Sequence, residues 1–173
     1  MLKLEILNAS GNNCGVNDSG IMQCTNLESL NASNNSGITN VNHLVKLEIL
    51  EASGSCSIND SGLIDCVNLK SLGVSNNPKI TTVNHLAKLE ILNANGTCEI
   101  NDSGIAQCVN LKSLDATCNL GITNINHLTK LEILVANCCG INDAGMINCN
   151  KLKLLDATKN PRITKWKPYK DTN

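Results

Sequence analysis

The sequence predicts a single α/β solenoid: a curved parallel β-sheet on the concave side, with short helical, 3₁₀ or loop segments on the convex side. Three observations predict it. A Leu-x-x-Leu-x-Ala stretch recurs eight times in 173 residues, its first leucines at Leu4, Leu27, Leu47, Leu69, Leu89, Leu111, Leu131 and Leu152. Successive separations are 23, 20, 22, 20, 22, 20 and 21 residues, so longer and shorter units alternate. Hydrophobic residues make up 42% of the chain but aromatics only 1%, with one Trp, one Tyr and no Phe. A unit of this length cannot bury its apolar face alone, so neighbours must stack into one continuous core.

Each element follows from the pattern. The Leu-x-x-Leu-x-Ala stretch alternates near its end, as a short strand does. Strands of successive units pair in parallel at about 4.8 Å, so eight span roughly 40 Å. Ala9, Ala32, Ala52, Ala94, Ala116, Ala136 and Ala157 fill an inward strand position, with Val74 in the same slot of the fourth unit. A methyl group there draws the return segment close to the sheet and leaves no room for rings. In the longer units Asp18, Asp60, Asp102 and Asp143 precede Ser-Gly or Ala-Gly and an apolar residue, which predicts N-caps of a short helix. In the shorter units, stretches such as Ile122-Thr-Asn-Ile-Asn-His-Leu128 are brief and β-branched and predict a loop or 3₁₀ turn.

The unit pattern, carried for instance by Leu47, Leu50, Ala52, Cys56, Ile58, Leu63 and Cys66, resembles the leucine-rich-repeat family over essentially the whole chain. The longer units, such as Cys98-Glu-Ile-Asn-Asp-Ser-Gly-Ile105 followed by Cys108, look like its cysteine-containing subclass, shortened by several residues. The resemblance implies a right-handed leucine-rich-repeat solenoid. It also implies that Asn12, Asn35, Asn77, Asn119 and Asn160 form a buried ladder satisfying loop backbone groups. Asn17, Asn59, Asn101 and Asn142 recur before each Asp and read as fold residues too. One domain is expected over residues 1–173, with 150–173 holding the last unit and a C-terminal cap. In that cap Trp166 and Tyr169 replace repeated aliphatics and Pro168 ends the pattern. The amino end shows no comparable cap, which suggests a longer array or self-association through that edge.

Lys plus Arg number 14 and Asp plus Glu 15, a net charge of −1 without aromatic platforms, which argues against nucleic acid. No apolar run reaches 18 residues, which argues against a membrane span. Eight of the ten cysteines track the repeat: Cys24, Cys66, Cys108 and Cys149 in one column, Cys14, Cys56, Cys98 and Cys139 in another. Members of a column lie two units apart, about 9–10 Å, beyond the roughly 7 Å reach of a disulfide and the convergence zinc demands. They read as small buried hydrophobes in a reducing, cytoplasmic setting. Cys118 and Cys138 break the pattern and fall at one slot of adjacent units, about 5 Å apart, where a disulfide is feasible. His43, His85 and His127, 42 residues apart, read as structural, and no metal or cofactor is expected.

The family usually binds its partner on the concave sheet face. Alternation places Ile6, Ile49, Ile91 and Ile133 there, with Asn31, Glu51, Asn93 and Asp115 alongside. Trp, Tyr and Arg, the usual hot-spot residues, are absent from it. The expected function is a non-enzymatic scaffold binding an unidentified protein. Alternatives are the substrate-recognition arm of a ubiquitin-ligase adaptor, or a structural or effector repeat protein without a dedicated ligand. No convergent acid, base and nucleophile suggests catalysis.

Overall fold

The computed structural model describes residues 3–165. The C-terminal cap expected at Trp166, Pro168 and Tyr169 lies outside them. Eight three-residue strands form one parallel sheet in strict chain order. They are β1 (Ile6–Asn8), β2 (Ser29–Asn31), β3 (Ile49–Glu51), β4 (Ser71–Gly73), β5 (Ile91–Asn93), β6 (Ser113–Asp115), β7 (Ile133–Val135) and β8 (Leu154–Asp156). Register repeats without slippage, so Leu30, Leu50, Leu72, Leu92, Leu114 and Leu134 align in one inward column. Return segments hold one four-residue helix, α1 (Asp18–Ile21), and 3₁₀ turns at Asp60–Gly62, Ser103–Ile105 and Ala144–Met146, all in longer units. The solenoid is thus built as the spacing predicts.

The core is one slab of Leu, Ile, Val, Ala and Cys running the length of the array. Ala9, Ala32, Ala52, Ala94, Ala116 and Ala136 are fully buried, whereas Ala157, in the last unit, is half-buried. Thin slabs also require glycine where neighbouring backbones touch. A Cβ on Gly104 would collide with the backbone carbonyl of Thr81, and Gly62 and Gly145 meet Thr39 and Thr123 in the same way.

The asparagine ladder is present in the shorter units. Asn119, 1% exposed, donates from Nδ2 to Ala94 O (3.0 Å) and Ile100 O (3.0 Å), while Gly121 N (2.8 Å) and Ile122 N (2.9 Å) donate to its Oδ1. Asn35, Asn77 and Asn160 repeat the arrangement, each reaching back into the preceding longer unit. Asn12 does not belong to it: it is exposed and accepts from the Ser55 hydroxyl. A ladder Asn of a shorter unit bonds to carbonyls of the longer unit before it, and Asn12 lies in a longer unit, where the matching slots hold Ser55, Thr97 and Cys139.

The capping residues are Asn, not Asp. The Asn17 and Asn59 side chains accept from Gly20 N and Gly62 N, and those of Asn101 and Asn142 from Gly104 N and Gly145 N. Asp102 and Asp143 have helical backbone and make no capping bond. The carboxylates instead cross to the next unit. Thr39 N (2.8 Å) and Thr39 Oγ1 (2.6 Å) donate to Asp18, and the same clasp joins Asp60 to Thr81, Asp102 to Thr123 and Asp143 to Thr164. Burial pushes the Asp18 pKa up, but the Thr39 and Asn40 bonds outweigh it and the net shift is downward.

Candidate functional site

Alternation along each strand turns one side chain in and the next out. The inward leucines leave Ile6 (72% exposed), Ile49 (45%), Ile91 (49%), Ile133 (40%) and Leu154 (49%) on the outer sheet face. Half-buried serines of β2, β4 and β6 separate the isoleucines. The ladder pairs Ile6 with Ser29, Ser29 with Ile49 and so on to Leu154, giving a continuous row across the sheet. A second row runs beside it: Asn31, Glu51, Gly73, Asn93, Asp115, Val135 and Asp156 in register. All eight residues expected on this face are therefore there, and the two rows bring them together.

The polar row is held in place. Asn95 Nδ2 donates to Asp115 (3.3 Å) and Asn137 Nδ2 to Asp156 (3.0 Å). Glu51 leans over Gly73, where a Cβ would stand 2.6 Å from its Cδ. Burial raises the Glu51 pKa, so the carboxylate is more readily neutralised than an exposed one. Beyond the strand ends, Thr117, Cys118, Asn137, Cys138, Asp156, Thr158 and Lys159 line a cleft of about 370 Å³. Asn137 Oδ1 is buried there without a hydrogen-bond partner. The sequence signalled the two cysteines, but not the cleft around them.

Cysteine and histidine columns are structural. Cys66, Cys108 and Cys149 donate to the carbonyls of Val41, Val83 and Ile125 at 3.4–3.6 Å. Burial pushes each thiol up to about 11, with the charge of Asp65 adding to the rise at Cys66, so they stay protonated near neutrality. Burial likewise raises Cys56, Cys98 and Cys139. His43, His85 and His127 place Nε2 at 3.0–3.1 Å from Ile21 O, Leu63 O and Ile105 O, at the ends of the helical turns. This fixes Nε2 as the protonated nitrogen. Among the described residues, no three His, Cys, Asp or Glu side chains gather to hold a metal ion. No helix among them is long and apolar enough to cross a membrane.

Internalin C2 of Listeria monocytogenes superposes with a TM-score of 0.76 at 27% identity, over 95% of this chain and 75% of that one. The chain is a leucine-rich-repeat protein. A second internalin of Listeria monocytogenes matches this repeat protein with a TM-score of 0.67 at 27% identity, over 87% of this chain. Only 46% of that internalin is spanned. A leucine-rich-repeat protein of Leptospira interrogans shares the fold (TM-score 0.59, 20% identity), covering 80% of this chain and 38% of its own. No family model and no curated protein matches the sequence.

Proposed function

We propose that this leucine-rich-repeat chain is a non-enzymatic scaffold that binds a partner protein on the outer sheet face. One observation carries the reading: five large aliphatic side chains stand exposed in a single row beside a polar, mildly acidic one. An exposed apolar row rimmed by polar groups is the usual mark of an interaction surface. Ile49, Ile91 and Ile133 are the anchors; Asn31, Glu51, Asn93 and Asp115 set orientation. Ile is a weaker anchor than Trp, Tyr or Arg, so affinity is spread over many units. The test changes Ile49, Ile91 and Ile133 to Glu together. These side chains are 40–49% exposed, so folding judged by circular dichroism is expected to survive. Proteins captured by the wild type are expected to be lost, and an unchanged captured set would refute the assignment.

Self-association is a second reading, favoured by the edge position of β1 and the exposure of Ile6 and Leu4 beside it. Light scattering across concentrations separates the two; a constant monomer mass removes this one. The seven buried thiols also suit a reducing, cytoplasmic compartment.

A further inference from the structure

We propose that Cys118 and Cys138 form a cross-turn dithiol that reacts with a low-molecular-weight disulfide and closes into an intramolecular bridge between the sixth and seventh units. Each of the eight units has one residue of positive φ, two positions past the inward Ala or Val: Gly11, Asn34, Gly54, Asn76, Gly96, Cys118, Cys138 and Lys159. Where the first two corresponding pairs read Asn34–Gly54 and Asn76–Gly96, the third reads Cys118–Cys138. Both members differ together, and both to a residue that the left-handed region disfavours, at φ of 58° and 51°.

The other pairs show which way the slot points. Ser55 N donates to Asn34 Oδ1 (3.2 Å) and Thr97 N to Asn76 Oδ1 (3.1 Å), so each Asn lies over the next unit's slot. A Cβ on Gly54 would stand 3.0 Å from Asn34 Cγ, and one on Gly96 2.8 Å from Asn76 Cγ. In the same rotamer, a cysteine Sγ takes the place of that Cγ. Such an approach is too short for unbonded atoms. Across a disulfide with S–S of about 2.04 Å, however, one Sγ sits about 3 Å from the other Cβ. The backbone spacing of adjacent parallel strands, about 4.8 Å, also lies within the Cα window of a disulfide. The slot that excludes an ordinary second side chain thus has the dimensions of a bridge.

Access supports the chemistry. Both are free thiols and exposed, whereas seven of the other eight cysteines are buried and Cys14 is half-buried. Both open onto the cleft described above. One thiolate attacks a sulfur of the small disulfide RSSR, forming a mixed disulfide and releasing RS⁻. The second thiolate then attacks the protein-bound sulfur, forming Sγ–Sγ and expelling the second RS⁻. Both cysteine sulfurs are oxidised, RSSR is reduced to two RSH, and the two cysteine protons go to the departing thiolates.

The test equilibrates the full chain with reduced and oxidised glutathione, quenches with an alkylating agent and digests with trypsin. Cleavage after Lys112, Lys130 and Lys151 places Cys118 and Cys138 on separate peptides, 113–130 and 131–151. The expected product is these two peptides joined within one monomer, with fragmentation assigning the bond to Cys138 rather than Cys139 or Cys149. The Cys118→Asn/Cys138→Gly variant, which restores the pair found in the other units, is expected to fold and to lose the joined product. Separate glutathione adducts, or a bridge between molecules, would overturn the proposal. Oxidation is also expected to raise the melting temperature of the wild type by several degrees, reversibly with reductant, and to leave the variant's unchanged. An unchanged or lowered wild-type melting temperature would show that the slot does not fit a bridge. None of these outcomes depends on what the sheet face binds.

Discussion

Replacing Asn119 with Leu isolates the hydrogen-bonding worth of the ladder, because Leu is close to Asn in size. In the wild type two carbonyls and two amides converge on the Asn119 side chain, which is buried. Four net hydrogen bonds at about 1 kcal/mol each set the loss near 4 kcal/mol. Burying Leu in place of Asn returns about 1–2 kcal/mol of transfer free energy. The polar loss wins, and the expected destabilisation is about 2–3 kcal/mol. Urea unfolding followed by far-ultraviolet circular dichroism measures it, with Asn12→Leu as the control. Asn12 is exposed, so that control should stay within about 0.5 kcal/mol of wild type. In a repeat array the damage concentrates at the fifth–sixth unit junction, so hydrogen exchange should show protection lost there first. Equal midpoints for Asn119→Leu and wild type would refute the ladder as a source of stability.

Gly104→Ala drives a Cβ into the Thr81 carbonyl, part of the backbone; a loss of about 1–3 kcal/mol is expected by urea titration, against little for Gly15→Ala, which meets open space. The Asp18 and Asp143 carboxyls lie below their ordinary value of 3.8 when folded. Their contribution is therefore complete above that value and is lost as pH falls through the lower folded pKa, so Asp18→Asn/Asp143→Asn should flatten an acid unfolding curve below about pH 4. His85→Ala removes the Nε2 bond to Leu63 O; a cost of about 1 kcal/mol by thermal melting is expected, and His85→Gln is expected to recover part of it. Thiol titration of the reduced native protein should find Cys118 and Cys138 fast and the seven buried cysteines slow, with uniform rates contradicting the burial pattern.

The strands and their register were legible because eight copies constrain one another: a slip in any unit would turn its leucine outward. The Ile row was legible for the same reason, since alternation alone decides which side chains leave the core. The exchange of roles between Asn17 and Asp18 was not legible. Both residue types cap helices well and sit side by side, so only the backbone path decides which faces the turn. Asn12 matches the ladder in spacing, but it lies in a longer unit, where the same slot holds Ser55, Thr97 and Cys139 and the ladder is not built. The left-handed slot was hidden by its mixed composition of Gly, Asn, Cys and Lys, which share a backbone angle rather than a chemistry.

The asparagine ladder and the aspartate clasp tie the same neighbours. Asn35 reaches back to Ala9 and Val16, Asp18 accepts from Thr39, and His43 meets Ile21, all joining a longer unit to the shorter one after it. The junction from a shorter unit to the next longer one has other means, such as Asn42 on Ser61 O and Cys66 on Val41 O. Cohesion therefore has parity. The array can lengthen or shrink by a 42-residue pair and present the same junctions, but losing one unit would strand a buried Asn opposite the wrong loop. Such a chain frays in twos, because the smallest piece with its buried polar groups satisfied is the pair.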